Sequence, residues 1–391
     1  MREAVIVEAL RTPIVRSKKG KGALSGFHPT QLLGRVIDAV IEKAGIDPSA
    51  VEQVIGGCVT QAGEQAGNVV RHAVLARGKG WRTGGTTVDT QCGSGQQANH
   101  LVSALVKAGS IDVGIACGVE MMSRVRLGTN VANGPGYYIP EEWPWDSPAE
   151  QFTAAQRIAD KRGLSREDVD RFALRSQKNA KHARDSGYFE QEVVPIAAPI
   201  LDENRKPTGE TQGIDSDDGI RPTTMEGLAA LDPVIEGYLH TPGNSSQVSD
   251  GAAALLWMTT ERAKELGLRP RARIVQDVVV GTDPYFLLEG PVDATKEILR
   301  KTGMTLGDID LYEVNEAFAS VVLSWVDEFD VDMDKLNVNG GAISLGHPVG
   351  CTGSRLLITA LHELERRDKN TAFITMCCGA SVGTGTIIER L

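Results

Sequence analysis

The stretch "CGSGQQANHLVSALVKAGSIDVGIACG" (residues 92–118) has a counterpart later in the chain, "CTGSRLLITALHELERRDKNTAFITMCCG" (351–379). Each runs from a turn of small residues through a helical pattern to an apolar strand. Cys92 precedes Cys117 by 25 positions, and Cys351 precedes Cys377 by 26. Two similar halves would pack as a pseudo-symmetric pair, with their glycine-rich turns meeting at one site. The alternative is a chance likeness, because helix–strand units share this pattern in any α/β protein.

Strands and helices alternate around these two copies. The stretches "AVIVEA" (4–9) and "VEQVIGGCV" (51–59) are typical of strands, and "PTQLLGRVIDAVIEKAG" (29–45) is typical of an amphipathic helix that ends at a glycine. The alternation predicts an α/β fold, a duplicated core of two pseudo-symmetric halves with a mainly parallel sheet.

The middle of the chain departs from this pattern. From Met121 to Pro242 it is more polar and less regular, which indicates an inserted element of the kind that often binds ligands. We therefore expect an N-terminal core half over 1–120, an inserted loop domain over 121–250 that returns to the core near its end, and a C-terminal core half over 251–391.

The bulk composition excludes several classes of protein. Of the 391 residues 41% are hydrophobic and 24% charged, as in ordinary globular proteins. The net charge of −10 argues against nucleic-acid binding, which requires a basic face. No apolar run reaches about 18 residues, and the N-terminus lacks the apolar core of a signal peptide. The sequence predicts a cytoplasmic protein without nucleic-acid or membrane partners.

The cysteines divide into inert and reactive candidates. There are six, at positions 58, 92, 117, 351, 377 and 378. None forms a C-x-x-C pair, so no metal site is predicted, and a disulfide framework is not expected in a large cytosolic chain. What remains is either a small buried hydrophobe or a reactive thiol at each position.

Cys92 stands where a predicted strand, "TTVDTQ" (86–91), meets a helix. A thiol at a helix N-terminus feels the positive end of the dipole, which lowers its pKa and favours the nucleophilic thiolate. Gly93 and Gly95 leave the thiol uncrowded and let backbone amides approach a ligand. A buried structural cysteine is the competing interpretation.

Three further clusters lie on glycine-rich turns or strand ends. His347 in "GHP" is an imidazole that can serve a thiol as its base or donate to an oxyanion; the alternative is a plain turn. Cys377 and Cys378 end a strand, so one of them should face a given site, and Gly379 offers a backbone N–H; the alternative is a hairpin with incidental cysteines. Asn315, with Glu316 beside it, either serves a site at a strand's carboxyl end or caps the next helix.

Together, two separated thiols, an imidazole and an amide are the equipment for acyl transfer through a thioester. The chain resembles the thiolase family, the 3-ketoacyl-CoA and acetyl-CoA acyltransferases. The resemblance spans essentially the whole chain and rests on motifs in the family's order: "EALRTP", "QCGSG", "NSSQVSDGAAA", "NEAF", "NGGAISLGHPVGCTGS" and "CCGASVGTG". "GEQAGN", "QCGSGQQANHL" and "NEAFASVVLSW" further resemble actinobacterial thiolases of lipid and sterol side-chain breakdown.

The resemblance implies roles for five residues. Cys92 is the acylated nucleophile. His347 activates it and donates to the substrate thioester oxygen, and Asn315 holds a water that completes that oxyanion site. Cys377 is the acid/base, and the backbone amide of Gly379, with that of Cys92, forms a second oxyanion hole.

The resemblance also implies the reaction and its partners. The enzyme would cleave 3-ketoacyl-CoA in fatty-acid or sterol side-chain breakdown, with coenzyme A as a substrate and no permanently bound cofactor. Ser246 would lie near the pantetheine, and Arg221 near the nucleotide end, where an arginine suits the anionic ligand; a turn serine and a surface arginine are the alternatives. A homodimer or homotetramer is implied.

One departure bears on the substrate. Short-chain members often have His-Met-Gly where this chain has Glu150, Gln151 and Phe152, which suggests a different acyl pocket. A degradative thiolase for a medium, long or bulky chain is therefore favoured. The alternatives are a biosynthetic acetoacetyl-CoA thiolase and a thiolase-like acyl-CoA or lipid-binding protein without turnover.

Overall fold

The protein is described by a computed structural model that covers residues 2–132 and 139–391. Twelve strands form in this part of the chain. In chain order β1 to β12 they are Ala4–Arg11, Val15–Arg16, Gln53–Gly57, Gly84–Val88, Val113–Met121, Ile196–Leu201, Pro207–Ile214, Ser249–Thr259, Ala272–Gly281, Leu311–Val314, Thr371–Cys378 and Val382–Arg390.

Eleven α-helices accompany these strands within the same residues. In chain order α1 to α11 they are Pro29–Ala44, Val69–Ala76, Ser94–Ala108, Thr129–Ala132, Gln151–Arg162, Arg166–Asp185, Met225–Ala229, Thr260–Glu265, Gly290–Thr302, Ala319–Phe329 and Val349–Arg367. No helix in the described ranges has the length and hydropathy needed to cross a bilayer.

Apart from the edge strand β4 and the short strand β2, which pairs with β8, the main sheet consists of two segments with the same internal order. Read from its outer edge towards the centre of the sheet, one segment is β4-β3-β5-β8-β1 and the other is β10-β11-β12-β9. They are joined where Val5 and Ile6 of β1 pair with β9. The segments correspond strand by strand: β3 with β10, β5 with β11, β8 with β12, and β1 with β9. The predicted duplication is confirmed, because each correspondence also preserves the direction of pairing.

The expectation of a mainly parallel sheet is wrong. Within the main sheet, the parallel pairs among the described strands are β3/β4, β3/β5 and β10/β11. The strands β8 and β12 each lie antiparallel between two neighbours. Most of their residues are buried, so their apolar runs are indistinguishable in sequence from those of buried parallel strands.

Helices fill three layers around the two sheet segments. The helices α3 and α11 lie in the middle: α3 packs on β3, β5 and β8, while α11 contacts β5 and β8 on one side and β10 and β11 on the other. The outer faces are covered by α1 and by α9. Alternation along β1 separates the layers, since Val5 and Val7 pack with α1, and Ala4 and Ile6 with the central helices.

The two central helices approach each other through glycines. A Cβ on Gly95 of α3 would lie 2.8 Å from the backbone nitrogen of Ser354 and 2.9 Å from the carbonyl oxygen of Gly350, both in α11. A Cβ on Gly353 would overlap the backbone nitrogen of Gln96. Both helices begin near this contact, so their N-terminal ends meet, as the sequence repeat predicts for its glycine-rich turns.

The segment between β5 and β8 carries α5, α6 and the hairpin β6–β7. It is tied to the core by Arg11 at the end of β1, whose buried guanidinium donates to Glu192 at 2.7 Å and to both carboxylate oxygens of Asp217 at 2.7 and 2.9 Å. Removing one partner of such a buried pair costs about 3–5 kcal/mol. The domain bounds at 120 and 250 and the CoA-binding role of the insertion remain predictions, and residues 133–138 lie outside the described residues.

The contact between α3 and α11 predicts that Gly353→Ala destabilises the fold. Because the new methyl group overlaps backbone and not a movable side chain, we expect the free energy of unfolding to fall by about 1–3 kcal/mol or more. Denaturant unfolding measures this. Gly213→Ala is the matched control, since a Cβ at Gly213 has no heavy atom within 4 Å among the described residues. Equal stability of both variants would contradict the tight helix contact.

Candidate active site

Cys92 sits at the N-terminus of α3, as the sequence predicts. The strand β4 ends at Val88, a turn follows, and α3 begins at Ser94 with Gly93 as its N-cap. Gln91 has a φ of 50°, a left-handed conformation that turns the chain just before the thiol. The side chain of Cys92 is 5% exposed.

The Cys92 sulfur faces hydrogen-bond donors and a second thiol. The backbone N–H groups of Gly379 and of Cys92 itself lie near it and favour its thiolate form. Burial, together with the neighbouring Cys377, nevertheless raises the pKa of the Cys92 thiol to about 12. Burial thus opposes the lowering of the pKa that was expected at a helix N-terminus, because desolvation of the thiolate outweighs the effect of these N–H groups.

Cys377 and Cys378 end β11 and pack on different sides of it. Cys377 lies in an apolar cluster with Ala317 and Phe318, whereas Cys378 packs in the cluster that contains Cys92. Burial raises the pKa of the Cys377 thiol to about 12, opposed by a hydrogen bond from Asn315. The alternation predicted for adjacent strand residues is confirmed, and the hairpin β11–β12 coexists with this site.

Asn315 follows β10 and connects the thiol to the imidazole. Its side-chain nitrogen lies 3.9 Å from the sulfur of Cys377 and 3.5 Å from Nε2 of His347. Its side-chain oxygen is buried and has no partner among the described residues. The contacts therefore run from His347 through Asn315 to Cys377 and on to Cys92.

His347 is held in one tautomer by the first turn of α11. Its Nδ1 lies 2.7 Å from the hydroxyl of Thr352, and that hydroxyl donates to the carbonyl oxygen of Pro348 at 3.0 Å. Because the hydroxyl proton is already used, Nδ1 carries the ring proton and Nε2 presents a lone pair to the site. Burial, together with Arg355, lowers the pKa of His347 to about 3, so the ring is neutral.

Glu316 takes neither of the roles that the sequence suggested. It does not cap the next helix, whose N-cap is Phe318. Its carboxylate accepts from Ser176 at 2.6 Å, from Asn337 at 2.9 Å and from the backbone of Ile343 at 3.2 Å. It thus anchors the turn that leads to His347.

Glu120, which sequence reasoning missed, ties the two halves together below the site. It ends an apolar strand and is fully buried. Its carboxylate accepts from the backbone N–H groups of Val59, Thr60 and Gly350 at 2.9–3.1 Å and from the side chain of Gln65 at 2.7 Å. The available signal was an acid inside the apolar run "IACGVEMM".

An apolar wall beside Cys377 was also missed, apart from the departure at Phe152. Its buried members come from α5, α10 and the segment before α9, and partly buried aromatic and aliphatic side chains pack against them. These are Ala154, Ala155, Ile158, Leu288, Ala317, Phe318 and Val321, with Phe152, Phe286 and Leu287 outside. No sequence pattern joins these distant stretches.

The two residues predicted to contact CoA lie on adjoining segments. The backbone nitrogen of Ser246 donates to the carbonyl oxygen of Ala317 at 2.9 Å, two residues after Asn315. The side-chain nitrogen of Gln247 donates to the carbonyl oxygens of Gly219 and Ile343. These bonds hold the segment that contains Arg221 against the turn that leads to His347. Among the described residues the Arg221 guanidinium has no carboxylate partner, and burial lowers its pKa.

The geometry of His347 predicts a neutral ring over a wide pH range. A folded-state pKa of about 3, below the usual value near 6.5, leaves the ring uncharged throughout pH 5–8. We expect the ¹⁵N shifts of labelled protein to report the Nδ1–H tautomer, without titration between pH 5 and 8. His347→Asn assigns the resonance, and a midpoint inside that window would contradict the burial argument.

The model of the thiolase N-terminal domain matches residues 4–261, and that of the thiolase C-terminal domain matches 268–390. The chain is 40% identical to a steroid 3-ketoacyl-CoA thiolase, FadA6, of Mycobacterium tuberculosis, covering 100% of this chain and 95% of that protein. It is 38% identical to a 3-ketoacyl-CoA thiolase of Bacillus subtilis over the full length of both.

Solved structures agree in fold. The crystal structure of the Bacillus anthracis acetyl-CoA acetyltransferase superimposes with a TM-score of 0.88 at 36% identity, covering 100% of this chain and 99% of that one. Human mitochondrial 3-ketoacyl-CoA thiolase gives 0.87 at 35% identity with the same coverage. With both family domains matched in order over almost its whole length, this chain belongs to the thiolase family.

Proposed function

We propose that the protein cleaves 3-ketoacyl-CoA with CoA, giving acyl-CoA and acetyl-CoA through an acyl-cysteine at Cys92. The observation that carries the proposal is the Cys92 sulfur, which faces the N–H groups of Cys92 and Gly379 and lies beside a second buried thiol, Cys377. A nucleophile, an oxyanion site and a proton donor in one water-excluded place suit covalent acyl transfer. The relatives, which are 3-ketoacyl-CoA thiolases by name, support the same reaction.

Acylation begins with the proton on Cys92. Because Nδ1 of His347 is already protonated, its Nε2 accepts the thiol proton, and the resulting thiolate attacks the 3-keto carbon. The oxyanion that forms is placed at the amides of Cys92 and Gly379. After the transfer Nε2 carries a proton and becomes a donor to the substrate's thioester oxygen, beside the amide of Asn315.

Cleavage and deacylation use the second thiol. The C2–C3 bond breaks, its electron pair becomes the enolate of acetyl-CoA, and Cys377 protonates C2. The Cys377 thiolate then takes the thiol proton of incoming CoA, whose sulfur attacks the acyl group on Cys92. Acyl-CoA leaves, and His347 returns its proton to the Cys92 sulfur. A thiol with a pKa raised by burial suits Cys377, because it stays protonated until a carbanion forms next to it.

The substrate is proposed to bring a medium, long or bulky acyl group from fatty-acid or sterol side-chain breakdown. Support comes from the apolar wall beside Cys377, with Phe152 packed edge-on against Phe318 at 5.0 Å between ring centroids. An acyl chain displaced from water onto this wall gains about 25 cal/mol per Å² of apolar surface.

The biosynthetic alternative, condensation to acetoacetyl-CoA, has one observation in its favour: the name of the Bacillus anthracis acetyltransferase. A panel of 3-ketoacyl-CoA substrates, from four carbons to a sterol side chain, separates the alternatives. Turnover that rises with acyl size supports the degradative reaction. Turnover on acetoacetyl-CoA alone supports the biosynthetic one, and binding without turnover supports a binding protein.

Coenzyme A is proposed to bind along the segments of Ser246 and Arg221 as a substrate and not as a resident cofactor. Arg16 and Lys18 add positive charge there, although both approach Asp218, at 3.7 and 3.0 Å. We further propose a cytoplasmic homodimer or homotetramer, on the resemblance to the family.

Cys92→Ser tests the nucleophile. Since a serine hydroxyl is a much weaker nucleophile than a thiolate, we expect thiolysis to fall at least a thousandfold and no acyl mass on the peptide that contains residue 92. Intact-protein and peptide mass spectrometry after mixing with 3-ketoacyl-CoA measure this. Cys378→Ala is the control and should acylate normally; labelling of the serine variant at the wild-type rate would refute the assignment.

Arg221→Met tests the CoA contact. Loss of one charge-assisted contact to a phosphate corresponds to about a tenfold rise in KM for CoA with little change in kcat. Steady-state kinetics with varied CoA measure it. Arg300→Met removes an exposed arginine on α9 and should leave KM unchanged; if the two variants behave alike, Arg221 does not contact CoA.

A further inference from the structure

Arg355 on α11 is a buried cation with no direct hydrogen bond. Its side chain is 0% exposed, and none of its three nitrogens, Nε, Nη1 and Nη2, has a partner among the described residues. An unpartnered buried guanidinium is strongly unfavourable, so native proteins satisfy such groups with protein atoms or internal water. A feature this unfavourable on the helix that begins at the catalytic histidine turn calls for a functional explanation.

The one ion pair of Arg355 within the described residues is with Glu313, and it is loose. Nη1 lies 3.7 Å from Oε2 of Glu313, beyond hydrogen-bond distance, and that carboxylate oxygen is itself buried without a hydrogen bond. Both groups are therefore buried without the direct hydrogen bond that would offset their desolvation.

The contact between Glu313 and Arg355 lies next to a second contact between the same two elements, that of Asn315 with His347 in the proposed active site. On β10 and just beyond it, Glu313 and Asn315 are two residues apart, so both project to the same side. On α11, Thr352 and Arg355 are three residues apart and share one face, and Thr352 holds His347. Asn315 meets His347 at 3.5 Å, and Glu313 meets Arg355 at 3.7 Å.

We propose that Arg355 is a positioning residue of the enolate site: its buried positive charge, which has no direct hydrogen-bond partner, acts through His347 to stabilise the negative charge that forms between His347 and Asn315. The inference deepens the proposed function and rests on it for its chemistry. A fixed charge in a buried, water-poor site stabilises an anion strongly, because no solvent must reorganise.

The neighbouring charges leave this role to Arg355. Arg11 is fully engaged by Glu192 and Asp217. Glu316 is occupied by three donors and approaches Arg355 only electrostatically. Burial raises the pKa of Glu313 against the lowering effect of Arg355. At 3.7 Å, with no hydrogen bond between them, this acid does not engage the guanidinium directly.

The same charge bears on the imidazole itself. Burial is the main reason that the pKa of His347 is low, and the positive charge of Arg355 lowers it further. An imidazolium made more acidic in this way is a stronger hydrogen-bond donor to an enolate oxygen. It also returns its proton readily at the end of the cycle. Arg355 thus favours the enolate without touching the substrate.

Two readouts test the proposal on Arg355→Met, Arg355→Gln and Arg355→Lys. The first is the pKa of His347 by NMR, which is independent of turnover. Removing the positive charge should raise this pKa by about one unit in the Met and Gln variants and leave it unmoved in the Lys variant. The second is exchange of the acetyl-CoA methyl hydrogens in D₂O, which requires the enolate but not CoA attack. We expect it to fall ten- to hundredfold in the two neutral variants and a few-fold with lysine.

Controls separate this role from a structural one. Arg271→Met removes another largely buried arginine, paired with Glu8 and Glu365 away from the site, and should change neither readout. If the Met variant does not fold, the Gln variant, which removes the charge but keeps a polar side chain, serves alone. Folded neutral variants with an unchanged His347 pKa and wild-type exchange would overturn the proposal. Absence of thiolysis in the wild type would overturn the proposed function instead, with the NMR readout still deciding the role of Arg355.

Discussion

The close contact between α3 and α11 is the constraint on which the rest of the structure depends. Backbone meets backbone there, and a Cβ at Gly57 of β3 would also come within 2.5–2.6 Å of Gly95 and Gly350. Only glycine permits that approach, because any side chain would force the helices or the sheet apart. Since both helices begin at the contact, Cys92 and His347, each two residues before its helix, lie on turns that converge.

Because the turns converge in the protein interior, the ionisable groups at the site are buried, and burial favours their neutral forms. Two helix N-termini favour anions, yet burial dominates at the thiols, so both Cys92 and Cys377 have a pKa raised to about 12. The resting site is thus neutral, with two thiols and a neutral imidazole. In the proposed reaction, charge develops there when substrate supplies a carbonyl, beside the amides of Cys92 and Gly379.

Buried acids below the site hold its parts in register. Glu120 links β5, β3 and the first turn of α11 through four donors, and Glu316 fixes the turn before His347. Multiple hydrogen bonds to a carboxylate offset much of its desolvation, which makes such residues effective anchors. Arg355 is the exception, since it lacks direct partners, and this difference singles it out as a group whose charge acts at the site.

The sequence by itself determined the two halves, the turns that bear Cys92, His347, Cys377 and Asn315, and the family, because helix period, glycine position and motif order are local properties of the chain. The strand directions of β8 and β12 were decided by tertiary structure, since a strand buried on both faces has no direction in its hydrophobic pattern. Tertiary structure also decided the pKa of Cys92 and the apolar wall around Phe152. Desolvation and packing depend on which distant segments cover a residue, and only the folded chain sets that.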